Sequence, residues 1–320
     1  MIELDSLKRV YYHASCPDGT ASAVIVASAL SLRGLLNNVE FRSIQYGTKE
    51  HDELVPEPGS MFVDITPPLK RWREWEGTGV VVLDHHETAR DATIGLGGVY
   101  GTNDEWSGAR LAHEHVFKSV ADGLSEYLDD FSFLAMIRDT WKKDHPRWKE
   151  AEAQAMALSF YGSKEMLERV SHRNLDLEGL MCLGQALAKK AEMSIKKYCS
   201  GAFWTESAGL KIAFFNCTEK LTSDIGNALL EAGADVAVGW FSLNEDGGPK
   251  LSVSLRGNGK VSVRKVAQSL GGGGHDRAAG FRIAGEDFSH QHLVSFTTVA
   301  LTSVFLEDSR YELPGGETRR

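Results

Sequence analysis

Cysteine is scarce in this chain of 320 residues, and none of it is paired: Cys16, Cys182, Cys199 and Cys217 form no CxxC motif and no even spacing. That excludes a disulfide framework and reads as reduced thiols of a cytosolic protein. Long apolar runs are missing too; no uncharged stretch approaches the roughly 18 residues that a membrane span requires. The first residues, MIELDSLKRVYYHA, lack the basic-then-apolar layout of a secretory signal. We therefore expect a soluble cytoplasmic protein with no membrane partner. Positive charge is in deficit, with 35 Lys and Arg against 44 Asp and Glu and a net charge of −9, so the molecule is not built to coat duplex nucleic acid. Internal repeats and low-complexity segments are also absent, and only the tail LPGGETRR reads as disordered.

What is there is ordinary globular composition, 42% hydrophobic and 25% charged, in a chain longer than one core usually serves. The expectation is an α/β protein of two domains. KRVYYHA reads as a strand ending at His13, and DGTASAVIVASALSLRG as a helix of small residues closed by Gly34. VEFRSIQY, SMFVDIT and GVVVLDH read as further strands, and PPLKRWREWEG as a helix opened by proline and stopped by Gly77. This alternation predicts a mostly parallel sheet with helices on both faces. From Ser107 to about Tyr198 the pattern is helical, and LDLEGLMCLGQALAKKAEMSIKKYCS predicts one long helix joining two domains. LKIAFFNC, TSDIGNALLEAG, ADVAVGWFSL and PKLSVSLRG then give strand, helix, strand, strand. The boundaries we expect are residues 1–175 for the first domain, 176–200 for a helical linker and 201–320 for a smaller α/β domain.

Four places share one pattern. His13 ends the first strand with Asp18 just beyond, Asp64 ends MFVD, Asp84-His85-His86 ends VVVLDHH, and Asp139 lies where the apolar FLAMI turns polar. Ligands of parallel α/β sheets bind beyond the carboxyl ends of the strands, so groups at the ends of separate strands can converge. Each piece alone has an ordinary reading: a capping Asp64, a buried His13, a polar DHH surface. Together they form a ligand set for hard or borderline divalent ions, Mn2+ or Mg2+. Two such ions, about 3.5–4 Å apart and bridged by one carboxylate, activate water for in-line attack on phosphorus.

The segments HASCPDG, VDIT, LDHH and IRDTW resemble the motifs of the DHH phosphoesterase superfamily, and VSLRG and GGGGHDRAAGF resemble its DHH-associated C-terminal domain. The resemblance runs from about residue 8 to 283 with the motifs in order. It implies a two-Mn2+ phosphoesterase with a catalytic N-terminal domain, a linker and a substrate-binding C-terminal domain. His13 and Asp64 would hold one metal; Asp18, Asp64, His85 and Asp139 would hold the other. Asp84 would orient the neighbouring ligand, and His86 would face the scissile phosphate or leaving oxygen. One departure stands out. Many relatives carry an earlier acid in the first motif where this chain has Cys16, as in a subgroup written HxxCPDG. Cys16 either ligates, its thiolate favouring softer metals, or packs as a small hydrophobe.

The window 256–282 carries six Lys or Arg and one Asp, a compact basic patch suited to a small phosphorylated ligand. Its glycine run follows a helix-like VSVRKVAQSL rather than a strand, which argues against a nicotinamide fingerprint. Ala278, Ala279 and Gly280 are expected to open a helix or turn nearby. By resemblance, Gly273, Gly274 and His275 would touch the nucleotide and Arg256 would clamp a phosphate, with Arg277 a further candidate. The function expected is hydrolysis of short RNA or DNA oligonucleotides, or of linear or cyclic dinucleotides, to mononucleotides. Alternatives are a 3′,5′-bisphosphonucleotide (pAp) phosphatase, a single-strand exonuclease of the RecJ type, and a non-catalytic nucleotide sensor. Whether the chain forms a homodimer is open from sequence.

Overall fold

The computed structural model describes residues 3–102, 105–121, 126–217, 221–245, 248–284 and 290–311. The chain divides into two compact units, Met1–Lys189 and Lys190–Arg320. The tail LPGGETRR lies outside the described residues.

The first unit opens with β1 (Arg9–His13), α1 (Pro17–Leu32), β2 (Glu40–Ile44), α2 (Lys49–Asp52), β3 (Ser60–Val63), β4 (Val81–Asp84), α3 (Arg90–Gly95) and β5 (Val99–Tyr100). The strands form one parallel sheet in the order β2-β1-β3-β4-β5. Strand order reverses at β1, between β2 and β3, and that reversal opens a crevice beyond the carboxyl ends. Helix α1 is built of Ala, Val, Ile and Ser and is buried all around from Asp18 to Ala27, as a helix without a polar face must be. It packs on β1 and on α4 (Gly108–Ala112), α5 (Glu126–Asp139) and α6 (Trp148–Ser171). Gly162, at φ +72°, breaks α6 into two pieces.

PPLKRWREWEG departs from expectation: it yields a single 3-10 turn, Trp72–Trp75. Pro67 and Pro68 are compatible with a first helical turn, yet no α-helix follows them. Burial of Trp75 among Tyr11, Ile44 and Phe62 then fixes the chain irregularly.

Helix α7 (Leu177–Ser200) is one continuous element, and the division between the units falls inside it. Beyond it come β6 (Phe203–Ser207), β7 (Leu210–Asn216), α8 (Thr222–Glu231), β8 (Val236–Glu245), β9 (Gly248–Gly257), α9 (Val263–Ser269), β10 (Gly273–His275), β11 (Ala278–Ala284) and α10 (His290–Tyr311). The sheet runs β10-β11-β9-β8-β7-β6, antiparallel except for the β7–β8 pair. Alternation along β7 sends Ile212 and Phe214 into the core shared with Leu293 and Leu301 of α10, while Ala213 and Phe215 meet Ile225 and Leu229 of α8. Ala278, Ala279 and Gly280 do not open a helix or turn. They form β11, hairpin partner of β10, with Gly273 opposite Gly280 and Gly274 opposite Ala279. Gly274, at φ +136°, accommodates a pairing in which a Cβ would meet Ala278 O at 2.6 Å. Side chains this small let the backbone close, and the ladder satisfies amides a loop would leave open.

Candidate active site

Three adjacent strands deliver polar residues to one edge of the parallel sheet. His13 is the last residue of β1, Asp64 follows β3 and Asp84 ends β4. Asp64 holds a left-handed backbone, φ +60°, and its amide donates to Leu83 O at 2.9 Å. Its carboxylate faces two ways. Oδ1 lies 3.2 Å from His85 Nε2, and Oδ2 lies 3.4 Å from His13 Nδ1. His85 Nε2 is also 3.3 Å from Asp139 Oδ2, brought in by the last residue of α5.

Asp18, in the first turn of α1, is fastened from a distant part of the chain. Gly108 N donates to its Oδ2 at 2.7 Å and Ala109 N to its Oδ1 at 3.2 Å, the amides of the N-terminus of α4. Ser107 caps that helix by accepting from Arg110 N. Two glycines permit the approach. A Cβ on Gly19 would run into His13 O, and one on Gly108 would sit 2.5 Å from Asp64 Cβ.

Asp84 is fully buried and spends Oδ1 on three donors: His85 N at 2.7 Å, His86 N at 3.1 Å and His86 Nδ1 at 2.7 Å. The ring it orients is thus that of His86, turning Nε2 to the opposite side. Tyr46 Oη donates to Asp84 Oδ2 at 3.4 Å and accepts from Thr66 N at 2.9 Å, while Thr66 O lies 2.9 Å from His51 Nε2. Sequence reading missed Tyr46, His51 and the Gly108 and Ala109 amides. Arg138 was missed as well; its guanidinium lies 4.4 Å from the Trp141 ring centroid and 5.3 Å from that of Trp148. It helps line a cavity of about 270 Å³ that reaches Asp18 and Asp139.

The crowding is electrostatically costly. Burial, then the charges of Asp64 and Asp139, push Asp18 well above the usual carboxylate range. Burial and Asp64 push Asp139 up to about 6. Burial would raise Asp64 too, but the imidazoles of His13 and His85 hold it well below. His85 is raised to about 10: burial opposes this, and Asp64, Asp18 and Asp139 outweigh it. Burial, then Asp64 and Asp18, also raise the Cys16 thiol.

These groups fit divalent cations. His13, Cys16 and Asp64 bring ligand atoms within 4.8 Å of one another, and so do Asp18, His85 and Asp139. Asp64 Oδ2 and His13 Nδ1 are buried, face each other, and make no hydrogen bond among the described residues. Buried acceptors left unbonded in a nest of carboxylates are what a cation satisfies.

In the second unit, Arg256 and Gly273 and Gly274 line a cleft of about 590 Å³, with Ser252, Ser254 and Arg282 on its wall. Arg256 is half-buried, and its guanidinium donates to Ser254 Oγ at 3.2 Å, Leu255 O at 2.8 Å and Ser223 Oγ, all neutral oxygens. His275 and Arg277 are exposed at the hairpin and do not line this cleft.

Residues 211–292 match the model of the DHHA1 domain. Over 98 residues the chain is 31% identical to the bifunctional oligoribonuclease and PAP phosphatase NrnA of Mycoplasma genitalium, a match covering 28% of this chain and 29% of that protein. The chain thus spans under a third of the length of the curated relative it matches. Among solved structures it is similar to a pGpG-specific phosphodiesterase, PggH, from Vibrio cholerae, at TM-score 0.58 and 14% identity over 93% of this chain and 99% of that one. It is equally similar to the exonuclease RecJ bound to manganese, at TM-score 0.58 and 16% identity over 97% and 94%. Identities this low report a shared fold. A parallel sheet with acids and imidazoles at its strand ends, followed in one chain by a DHHA1 domain, defines a two-unit architecture. Residues of the second unit match the DHHA1 domain, and the chain as a whole shares its fold with these two structures.

Proposed function

We propose that the protein is a metal-dependent phosphodiesterase that hydrolyses short oligonucleotides or dinucleotides to mononucleotides. The observation that carries this reading is the divided carboxylate of Asp64, one oxygen toward His85 and the other toward His13. Such a group serves two cation positions at once. His13 and Asp64 hold the first; Asp18, Asp64, His85 and Asp139 hold the second. When bound, Mn2+ or Mg2+ ions there polarise a phosphoryl oxygen and lower the pKa of water at neutral pH.

The chain's own residues do the remainder. The amides of α4 fix Asp18, and Asp84 fixes the His86 ring. Burial works against His86 holding a proton, but its hydrogen bond to Asp84 raises its pKa, so it can present a proton from Nε2 to a phosphate or leaving oxygen. In the second unit Arg256, on the wall of the glycine-lined cleft, offers its planar fork to a phosphate. A run of basic residues confined to positions 256–282 suits a short substrate better than a long strand. The activities in the names of NrnA and PggH agree with this reading. The same residues accommodate a 3′,5′-bisphosphonucleotide, a second reading favoured by the PAP phosphatase activity in the name of NrnA.

The test is product analysis on di- to pentanucleotides, linear and cyclic dinucleotides and pAp, with Mn2+ and with chelator. Mononucleotide release that chelator abolishes is expected. Phosphate release from pAp alone would favour the second reading, and inertness toward every substrate would reject both.

A further inference from the structure

Cys16 occupies the place from which the first cation position needs another ligand. Its Sγ, an imidazole nitrogen of His13 and an oxygen of Asp64 lie within 4.8 Å of one another. Two metal–ligand bonds end to end span about 4–4.6 Å, so one ion reaches all three with slight closure. Cys16 is half-buried, is the residue preceding α1, and makes no side-chain capping bond to that helix. The left-handed backbone of Ser15, φ 55°, sets the turn that brings it back toward His13. The second, independent observation is Asp64, 1% exposed, whose Oδ2 has no hydrogen-bond partner among the described residues and faces His13 Nδ1, of the same group, at 3.4 Å.

We propose that Cys16 is a thiolate ligand of the cation held by His13 and Asp64, making the two cation positions chemically unequal. The position completed by Asp18, His85 and Asp139 is oxygen-rich and suits Mn2+ or Mg2+. The one containing sulfur prefers a softer ion such as Co2+, Zn2+ or Fe2+. Binding releases the thiol proton to solvent as the metal–sulfur bond forms. This inference rests on the metal-dependent reading above.

The experiment uses the full chain with the exposed Cys182 replaced by serine. Co2+ is titrated against apoprotein, its binding followed by equilibrium dialysis and by absorption. A sulfur-to-cobalt charge-transfer band in the near ultraviolet is expected, lost in Cys16→Ser. Cys16→Asp, which restores an oxygen ligand, is expected to shift the ratio of Mn2+ to Zn2+ affinity toward Mn2+ by roughly 10-fold or more, the scale on which even ligand-orienting groups act. Circular dichroism checks that both variants fold. Co2+ binding without the band, or a band that persists in Cys16→Ser, would overturn the sulfur assignment and leave the metal-dependent reading standing. Absence of any Co2+, Mn2+ or Zn2+ binding would overturn both.

Discussion

At the scale of single residues, Asp64 and Asp84 do opposite jobs with the same functional group. Asp64 keeps an oxygen unbonded among the described residues, whereas Asp84 spends Oδ1 on three donors within the chain. Asp64→Asn keeps the size but removes the charge proposed to serve both cation positions. We expect turnover to fall at least about 10³-fold, and Mn2+ stoichiometry measured by equilibrium dialysis to drop as well. Asp84→Asn leaves the ligands of both proposed cation positions in place and weakens the hold on the His86 ring. Here kcat should fall about 10–100-fold while Mn2+ content stays unchanged, a split that single-turnover kinetics and dialysis measure together.

At the scale of elements, the site depends on how closely backbones meet. Gly108 opens α4 against Asp64, where an added methyl has no room. Gly108→Ala should therefore cost about 1–3 kcal/mol and depress activity through a displaced Asp64, measured by urea unfolding beside kinetics. In the second unit, Asp235 ties three segments: it accepts from Lys211 N at 2.9 Å and Asn258 Nδ2 at 2.9 Å and pairs with Lys260 Nζ at 2.6 Å. Burial would raise its pKa, yet these donors, the Lys211 amide first, hold it below the usual range. A depressed folded-state pKa contributes stability above the unfolded-state value of about 3.9 and loses it as pH falls through the folded-state value. Asp235→Asn should thus cost about 1–3 kcal/mol at pH 7, and the gap to the parent protein should narrow below pH of about 4 in thermal melts at several pH values.

Three strands of the parallel sheet, β1, β3 and β4, were legible because each apolar run stops abruptly at Asp or His, a pattern that a buried strand produces where it emerges into a polar crevice, whereas the two-residue β5 was not expected. Asp64 and Asp84-His85-His86 stand out on that ground alone. What fastens them was not legible. Asp18 is held by amides 90 and 91 residues along the chain, and peptide N–H groups carry no sequence signature. Tyr46 reaches Asp84 across 38 residues from a loop whose composition says nothing of it. The glycine run misled in another way: between α9 and an apolar stretch it looks like a loop, and only the pairing of β10 with β11, itself paired with β9, makes it a strand.

At the scale of the whole molecule, one chain carries two separate chemistries, an edge of acids and imidazoles in the first unit and a glycine-lined cleft with Arg256 and Arg282 in the second. If the second holds substrate and the first cuts it, mutations in each should have different kinetic signatures. Arg256→Ala should raise KM about 10-fold or more on dinucleotides with kcat little changed, since it removes binding made equally in ground and transition states. Loss of kcat at constant KM would instead place Arg256 among the reacting groups.

The left-handed turn at Asp64 narrows what this position can ever become. Few L-residues tolerate that conformation, asparagine and aspartate foremost, so the backbone admits a short polar side chain. The proposed cations would demand a negative one. Glutamate meets the second requirement and fails the first, and asparagine the reverse, so the position has no neighbouring substitute through which the site could drift.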